Sequence, residues 1–194
     1  ATLREALRML EEDQIVTRKH GVGTFVNATP LFQAGIEELS SVTHMIKQSG
    51  KKPGTQYIST DVLDATVQEQ RDFGKFELES VTTIERIRTA DDVPVVFCID
   101  KAPASYLSLA KLREKASIFS TIEAASEKQI AYAIADIEPF TCHERIYSIL
   151  QCTPDDPLLL LKQMHYTSND EAVLYSMNYF RADMFRFQVV RKRI

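Results

Sequence analysis

Along the first residues of the chain the apolar positions Leu3, Ala6, Leu7 and Leu10 recur every three or four places, with Arg4, Glu5, Arg8, Glu11 and Glu12 between them. That spacing predicts an amphipathic helix with one buried stripe. The period then shortens. Ile15, Val16 and Thr17 form a β-rich run, Gly21 and Gly23 bracket a tight turn, and Thr24, Phe25 and Val26 return. This predicts a hairpin with Arg18, Lys19 and His20 at its tip. The polar, proline-ended stretch from Asn27 to Pro30 reads as a linker. The expected boundaries are therefore a small N-terminal part at 1–26, a linker at 27–30 and a main domain at 31–194.

Beyond the linker, Leu31, Ile36, Leu39, Val42, Met45 and Ile46 resume helical spacing and Gly50 supplies a stop, so a helix is expected there. "TQYISTDVL" reads as a strand and "ATVQEQRDFG" as a short helix. "VTTIERIRTADDVPVVFCIDKAP" places two extended runs around a polar turn at Ala90 to Asp92 and predicts a hairpin. "SYLSLAKL" and "SIFSTIEAASEK" read as short helices, "QIAYAIADIEPFT" as a strand and "HERIYSILQ" as a helix. From Pro157 the chain closes with a long hairpin turning at Ser168 to Asp170, followed by one further strand. Helices mixed with antiparallel hairpins give an α+β fold on one antiparallel sheet.

A 44% hydrophobic content in 194 residues suffices for one good core and a small appendage. No apolar run approaches the roughly 18 to 20 residues of a membrane span, and the N-terminal residues lack a signal-peptide pattern, so a cytoplasmic protein is expected. Cys98, Cys142 and Cys152 are unevenly spaced and form no C-x-x-C pair, which argues against a disulfide framework or a zinc site. The net charge of −4 argues against a surface that grips nucleic acid as a whole. Any DNA contact must be local: Thr2 and Arg4 at the start of the helix, and Arg18, Lys19 and His20 on the ribbon, are parts that can enter a groove and touch phosphates. The same parts also suit a structural cap, and charge does not decide, because four basic residues (Arg4, Arg8, Arg18, Lys19) meet four acidic ones (Glu5, Glu11, Glu12, Asp13).

The stretch "TLREALRMLEEDQIVTRKHGVGTFV" resembles the recognition helix and wing of GntR-family winged helix-turn-helix repressors. Thr2, Ala6, Leu7, Leu10, Ile15, Gly21, Gly23, Thr24, Phe25 and Val26 fall in register with the family pattern, while Gln14 stands where the family usually has glycine. The resemblance implies that two helices of that head precede Ala1, and that this chain alone binds DNA with little specificity. The remainder is similar to the UTRA effector-sensing domain of the HutC branch, through "IKQSGKKPG", "ERIRTADDVPV", "SIFSTIE", "PLLLLKQMHY" and "YSMNYFRADMFRF". That resemblance implies a chorismate-lyase-like fold, a homodimer and a small-molecule pocket on the sheet. It also implies operator DNA as partner of the full-length protein, a repressor mechanism and no cofactor.

Strand alternation puts Arg86 and Arg88 on one face of "TTIERIRT", their backbones about 7 Å apart. Two guanidiniums at that spacing can fork an anion or lie solvated on an open face, and spacing leaves both open. The resemblance implies the first, since relatives that bind sugar phosphates hold the anion with this R-x-R. Other positions depart from those relatives. Cys98 and Leu174 stand where acids are common, and Phe119 and Phe180 where tyrosines are; Thr43 and Ser117 remain polar. With Val42, this suggests an apolar wall beside an anion clamp, and Ser176 and Asn178 share a strand face with Leu174 and Phe180. The expected effector has one anionic end and a weakly polar body, such as an organic acid or a phosphorylated compound with few hydroxyls. Arg181 and Asp183 are expected to form a structural ion pair.

A lyase acting on a small aromatic acid is the alternative that the implied fold admits, with Glu85 and Glu138, or Cys142 and His143, as acid and base. Against it, His20, His44, His143 and His165 are scattered without metal-ligand spacing, and no nucleophile motif is present.

Overall fold

The computed structural model describes residues 2–12, 16–19, 22–26, 32–36, 38–107, 112, 117–141 and 143–189, and the chain divides into two compact units, Ala1–Leu31 and Phe32–Ile194.

In the first unit, α1 (Leu3–Glu12) begins where the Thr2 carbonyl accepts hydrogen bonds from Glu5 N at 2.9 Å and Ala6 N at 3.1 Å. Strands β1 (Val16–Lys19) and β2 (Gly23–Val26) pair antiparallel with Lys19 opposite Gly23, whose φ of 145° suits glycine alone. Val16 is buried, whereas Thr2 and Arg18 are exposed. Gln14, Ile15, His20, Gly21 and the linker at 27–30 lie outside the described residues, as do the side chains of Arg4 and Lys19.

The second unit is built on a six-stranded sheet in the order β4-β5-β6-β9-β8-β7, every neighbouring pair antiparallel. Its strands are β4 (Pro53–Asp64), β5 (Ser80–Ala90), β6 (Val93–Pro103), β7 (Tyr132–Phe140), β8 (Leu158–Tyr166) and β9 (Ala172–Arg181). Asp91 and Asp92, both with positive φ, close the two-residue turn between β5 and β6. Short polar side chains tolerate this conformation best after glycine, and two positive φ angles match the twist of the flanking strands. Between β4 and β5, α3 (Val67–Asp72) starts at a reciprocal cap in which Thr66 and Glu69 satisfy each other's backbone amides.

The helix expected from Leu31 onward is shorter and later. Phe32–Gly35 is instead an extended segment, β3, paired in parallel with β10 (Phe185–Gln188), and helix α2 covers only Val42–Gln48. Two local causes are visible. Phe32 is buried in a stack with Phe185, ring centroids 4.4 Å apart, and Ser41 accepts a hydrogen bond from His44 N, fixing the start of α2 just before Val42. "SYLSLAKL" starts inside a 3-10 turn at Ala104–Tyr106, while Ser108 to Lys111 lie outside the described residues.

The two faces of the sheet are covered differently. One face presents Phe97, Tyr179, Leu158 and Leu160 to α5 (Glu144–Leu150), whose Ile146, Tyr147 and Leu150 complete that cluster. On the other face, α2 closes one end through Ile46 against Val96, Cys98 and Phe180. Full burial of Ile46 contributes roughly 1.5–3 kcal/mol. Helix α4 (Ile118–Ser126) closes the other end through Ile118 and Ile122 against Ile84 and Leu174. The centre of this face, between α2 and α4, is left uncovered. Among the described residues no helix is long and apolar enough to cross a membrane.

Away from that face, Glu171, just before β9, gathers three donors from separate loops. Tyr106 Oη donates to Glu171 Oε1 at 2.5 Å, Lys128 Nζ to Oε2 at 2.5 Å, and Lys75 also bonds Oε1. Burial pushes the carboxyl up, but the bonds from Lys128, Lys75 and Tyr106 outweigh it and hold its pKa at about 2, against the ordinary 4.5. A lowered folded-state pKa stabilises the fold above the unfolded value, and that stabilisation is lost as pH falls from about 4.5 towards 2. Thermal midpoints across this window are expected to fall less steeply in Glu171→Gln than in the wild type. Equal slopes would show that this cluster does not couple protonation to folding.

Candidate functional site

The uncovered centre of the sheet is a cavity of about 260 Å³. Its floor follows from strand alternation: Arg86 and Arg88 on β5, Cys98 and Asp100 on β6, Ser176, Asn178 and Phe180 on β9, and Leu161, Gln163 and His165 on β8. Thr43 and Val42 on α2 and Ser117, Ile118 and Phe119 at the start of α4 form its walls, and Ala131, just before β7, and Ala133 and Ala135 within it border the cavity. Ten of the eleven ligand-contact positions expected from sequence are thereby brought together. The exception is Leu174, which is fully buried with Ile84, Ile118 and Ile122 beneath α4 and is absent from the lining. Cys98 forms part of the floor but is only 1% exposed, and burial, reinforced by Asp100, pushes its thiol up to about 12. It is a neutral, apolar-like surface there.

The two arginines are not equivalent. Arg86 is engaged by Asp100, Nη2 to Oδ2 at 2.5 Å and Nε to Oδ2 at 3.2 Å, and Ser176 Oγ donates to the other carboxylate oxygen at 2.7 Å. All three residues are buried. Burial lowers the Arg86 pKa, but Asp100 more than compensates, so the guanidinium is held as a cation. Arg88 has no carboxylate partner among the described residues. Its Nη2 donates to Thr43 Oγ1 at 2.7 Å and its Nη1 to Thr55 Oγ1, and its Nε is buried with no partner. Burial first, and repulsion from Arg86 second, lower its pKa, yet guanidinium basicity leaves it charged at neutral pH. The buried charges on the floor therefore sum to one net positive, located at Arg88. Glu38 also borders the cavity but is exposed to solvent.

Polar lining residues that were not singled out as ligand contacts from sequence include Asp100, Gln163 and His165. Asp100 lies two residues along β6 from Cys98, so the alternation that picked out Cys98 also carries it onto the same face; no residue of β8 was singled out, and the pairing of β8 with β9 is what brings Gln163 and His165 there. His165 is 1% exposed, its Nδ1 lies 3.0 Å from the Leu174 carbonyl, and its ring meets Phe119 edge-on at 5.1 Å. Burial lowers its pKa against the opposing pull of Leu174 and Asp100, so the ring is neutral at pH 7, with Nδ1–H donating and Nε2 left as an acceptor.

The acid and base pairs considered for a lyase are not gathered at the cavity. Glu85 bonds Arg145 and Glu138 bonds Lys162 at 2.8 Å, neither carboxylate bordering the cavity; His143 is exposed and Cys142 lies outside the described residues. Among the described residues no cluster of His, Cys, Asp and Glu has the makings of a metal site. Arg181 and Asp183 form an ion pair at 2.7 Å at the end of β9, away from the cavity lining.

The profile of the UTRA domain matches residues 48–186, and that of the gntR family of bacterial regulatory proteins matches residues 1–26. The HTH-type transcriptional repressor NagR of Bacillus subtilis is 29% identical over 189 residues, covering 96% of this chain and 76% of that protein. The HTH-type transcriptional regulator GgaR of Escherichia coli is 24% identical over 194 residues, covering 96% of this chain and 73% of its own length. Among solved structures, PhnF from Mycobacterium smegmatis superimposes with a TM-score of 0.78 at 26% identity, over 99% of this chain and 84% of that one. The separately solved effector domain of the same protein gives a TM-score of 0.72 at 22% identity, covering 83% of this chain and 99% of that one.

Proposed function

The chain belongs to the UTRA domain family, preceded by a match to the gntR family of bacterial regulatory proteins, and on that premise we propose that it is the sensing part of a DNA-binding repressor regulated by one small anionic metabolite per chain. The observation that carries the reading is Arg88: a buried guanidinium bordering a cavity, without a carboxylate partner among the described residues and with an unpartnered Nε. Isolating a cation in this way is costly, and a phosphate or carboxylate satisfies it with charge-assisted hydrogen bonds. Val42, Phe119, Phe180 and the neutral Cys98 give the body of the ligand an apolar wall. The effector is accordingly an organic acid or a phosphorylated compound with few hydroxyls.

Coupling to DNA follows the chain. Thr43, which holds Arg88, is in the first turn of α2, and Gly35, Ile36 and the residues from Glu38 to Thr43 border the cavity. An anion on Arg88 competes with Thr43 for the guanidinium and so acts on the segment that joins β3 to α2. Upstream in sequence that segment leads to residues 27–30, the hinge of this mechanism. In the homodimer, two winged heads read an inverted repeat and ligand alters their spacing or freedom. A coupling of about 1–3 kcal/mol is enough.

The test is DNA binding by the full-length repressor with and without a ligand found by thermal shift. A change in affinity of roughly 5- to 150-fold is expected, absent in Arg88→Met. Ligand binding that leaves DNA affinity untouched would refute the regulatory role. On the DNA side, Thr2 and Arg4 are assigned to the major groove, and Arg18, Lys19 and His20 to phosphates or the minor groove. In the full-length protein Arg18→Ala is expected to weaken all sequences alike and flatten the salt dependence by about one unit of slope, whereas Arg4→Ala relaxes sequence preference. Titrations of operator and scrambled DNA at several salt concentrations distinguish the two, and the reverse pattern would overturn the assignment.

A further inference from the structure

The cavity is longer than an anion site requires. Arg88 shares a rung of the sheet with Val96, Phe180 and Leu159, whereas His165 lies further along the strand of Leu159, opposite Leu174 and Ala133. Roughly 20 Å of strand separates Leu159 from His165. Between these ends the floor steps from Cys98 and Asn178 to Asp100, Ser176 and Gln163, and past them the alanines of β7 leave room for a ligand. Among the described residues, the lining of the far end carries no positive charge. It carries a buried, neutral imidazole whose Nδ1–H is committed to the Leu174 carbonyl, whose edge is fixed by Phe119, and whose Nε2 has no partner among the described residues.

We infer that His165 is a specificity-determining acceptor: Nε2 takes a hydrogen bond from a hydroxyl or N–H group at the end of the effector opposite its anion. The inference rests on the sensing role proposed above and adds to it a second, distant recognition point. It selects an elongated monoanionic-ended molecule with one terminal donor over a simple acyl chain and over a molecule anionic at both ends. A methyl group at that position leaves the buried lone pair unsatisfied, and a carboxylate sets a second acceptor against it. Gln163 and Ser176 on the intervening floor leave the middle of the ligand in a partly polar channel, facing the apolar wall of Val42 and Phe119.

The probes are matched alkyl phosphates and ω-hydroxyalkyl phosphates, from butyl to octyl, titrated calorimetrically into wild type, His165→Phe and Arg88→Met. At one chain length the hydroxyl-ended probe is expected to bind the wild type about tenfold or more tightly than its methyl-ended partner. His165→Phe is expected to erase that preference while retaining the methyl-ended probe, and Arg88→Met to lose both. Equal affinities in the wild type at every length, or a preference that survives in His165→Phe, overturn the role of His165 while leaving Arg88 standing. Binding to Arg88→Met as tight as to wild type, or no binding to wild type, overturns the anion site and this inference with it. Since His165→Phe also removes the bond to Leu174, nitrogen-15 spectra of the wild-type histidine supply a reading that does not depend on the variant's folding. The unprotonated Nε2 resonance should move upfield with the ω-hydroxyl probe alone, and an unmoved resonance in a saturated complex refutes the contact.

Discussion

Arg88→Met is expected to make the ligand-free protein more stable and insensitive to ligand. The wild-type guanidinium is 3% exposed, is repelled by Arg86 and, among the described residues, holds two threonine hydroxyls as its side-chain partners. Methionine fills a similar volume without a charge to desolvate. Leaving Thr43 and Thr55 without that partner costs about 1 kcal/mol each at most, because Thr43 borders the cavity and Thr55 is only partly buried. The net gain is about 1–2 kcal/mol, or roughly 2–8 °C in thermal midpoint for a chain of this size. Against that gain stands the whole of the ligand response. A ligand at a hundred times its dissociation constant adds about 2.7 kcal/mol to the wild type and should add nothing to the variant. Thermal-shift scans with alkyl phosphates and organic acids read both effects in one plate. A variant that is less stable yet still responds would mean that Arg88 is a structural residue.

Asp100→Asn is expected to have the opposite effect and to be larger. Asp100 is the carboxylate that offsets the two buried guanidiniums, and it also accepts from Ser176. Asparagine keeps the shape and one acceptor but leaves Arg86 and Arg88 side by side without a counterion. Breaking a buried pair in this way costs about 3–5 kcal/mol. The measurable consequence is a midpoint lower by roughly 6–20 °C in a buffer without strongly binding anions. Inorganic phosphate should restore part of that loss, because the floor then carries two unmatched positive charges, and its effect on the variant should exceed its effect on the wild type. Equal midpoints and equal phosphate responses would show that the Arg86–Asp100 pair is not what neutralises the floor.

These two residues mark what was legible in the sequence. The alternation in "TTIERIRT" places Arg86 and Arg88 on one face, and the structure keeps both on the cavity floor. Their division of labour was not legible, since it depends on which strand lies opposite. Asp100 meets Arg86 through the β5–β6 register and Ser176 through the β6–β9 register, and neither pairing is written in a local pattern. Counting two residues on from Cys98 would have found the acid. Leu174 was misplaced for a related reason: alternation assigns it to the correct face, but only the position of α4 decides whether that part of the face is open or covered. The helix expected over Leu31 to Ile46 failed at its first half because Phe32 finds its partner, Phe185, at the far end of the chain. No local spacing records such a partner. Ser41 as a helix cap was readable beforehand, and would have moved the start of α2 to its observed place.

The most direct measurement is of the Arg88 Nε–H group itself, by nitrogen-15 correlation spectroscopy of the labelled protein. In the ligand-free state this proton is expected at the weakly shielded-from-exchange, non-hydrogen-bonded end of the arginine range, because the buried nitrogen has no partner. Saturating hexyl phosphate should move it strongly downfield and slow its exchange with water, with Arg86 Nε, already bonded to Asp100, changing little. An Arg88 resonance that stays in place while the phosphate binds would contradict the anchoring of the effector anion by Arg88.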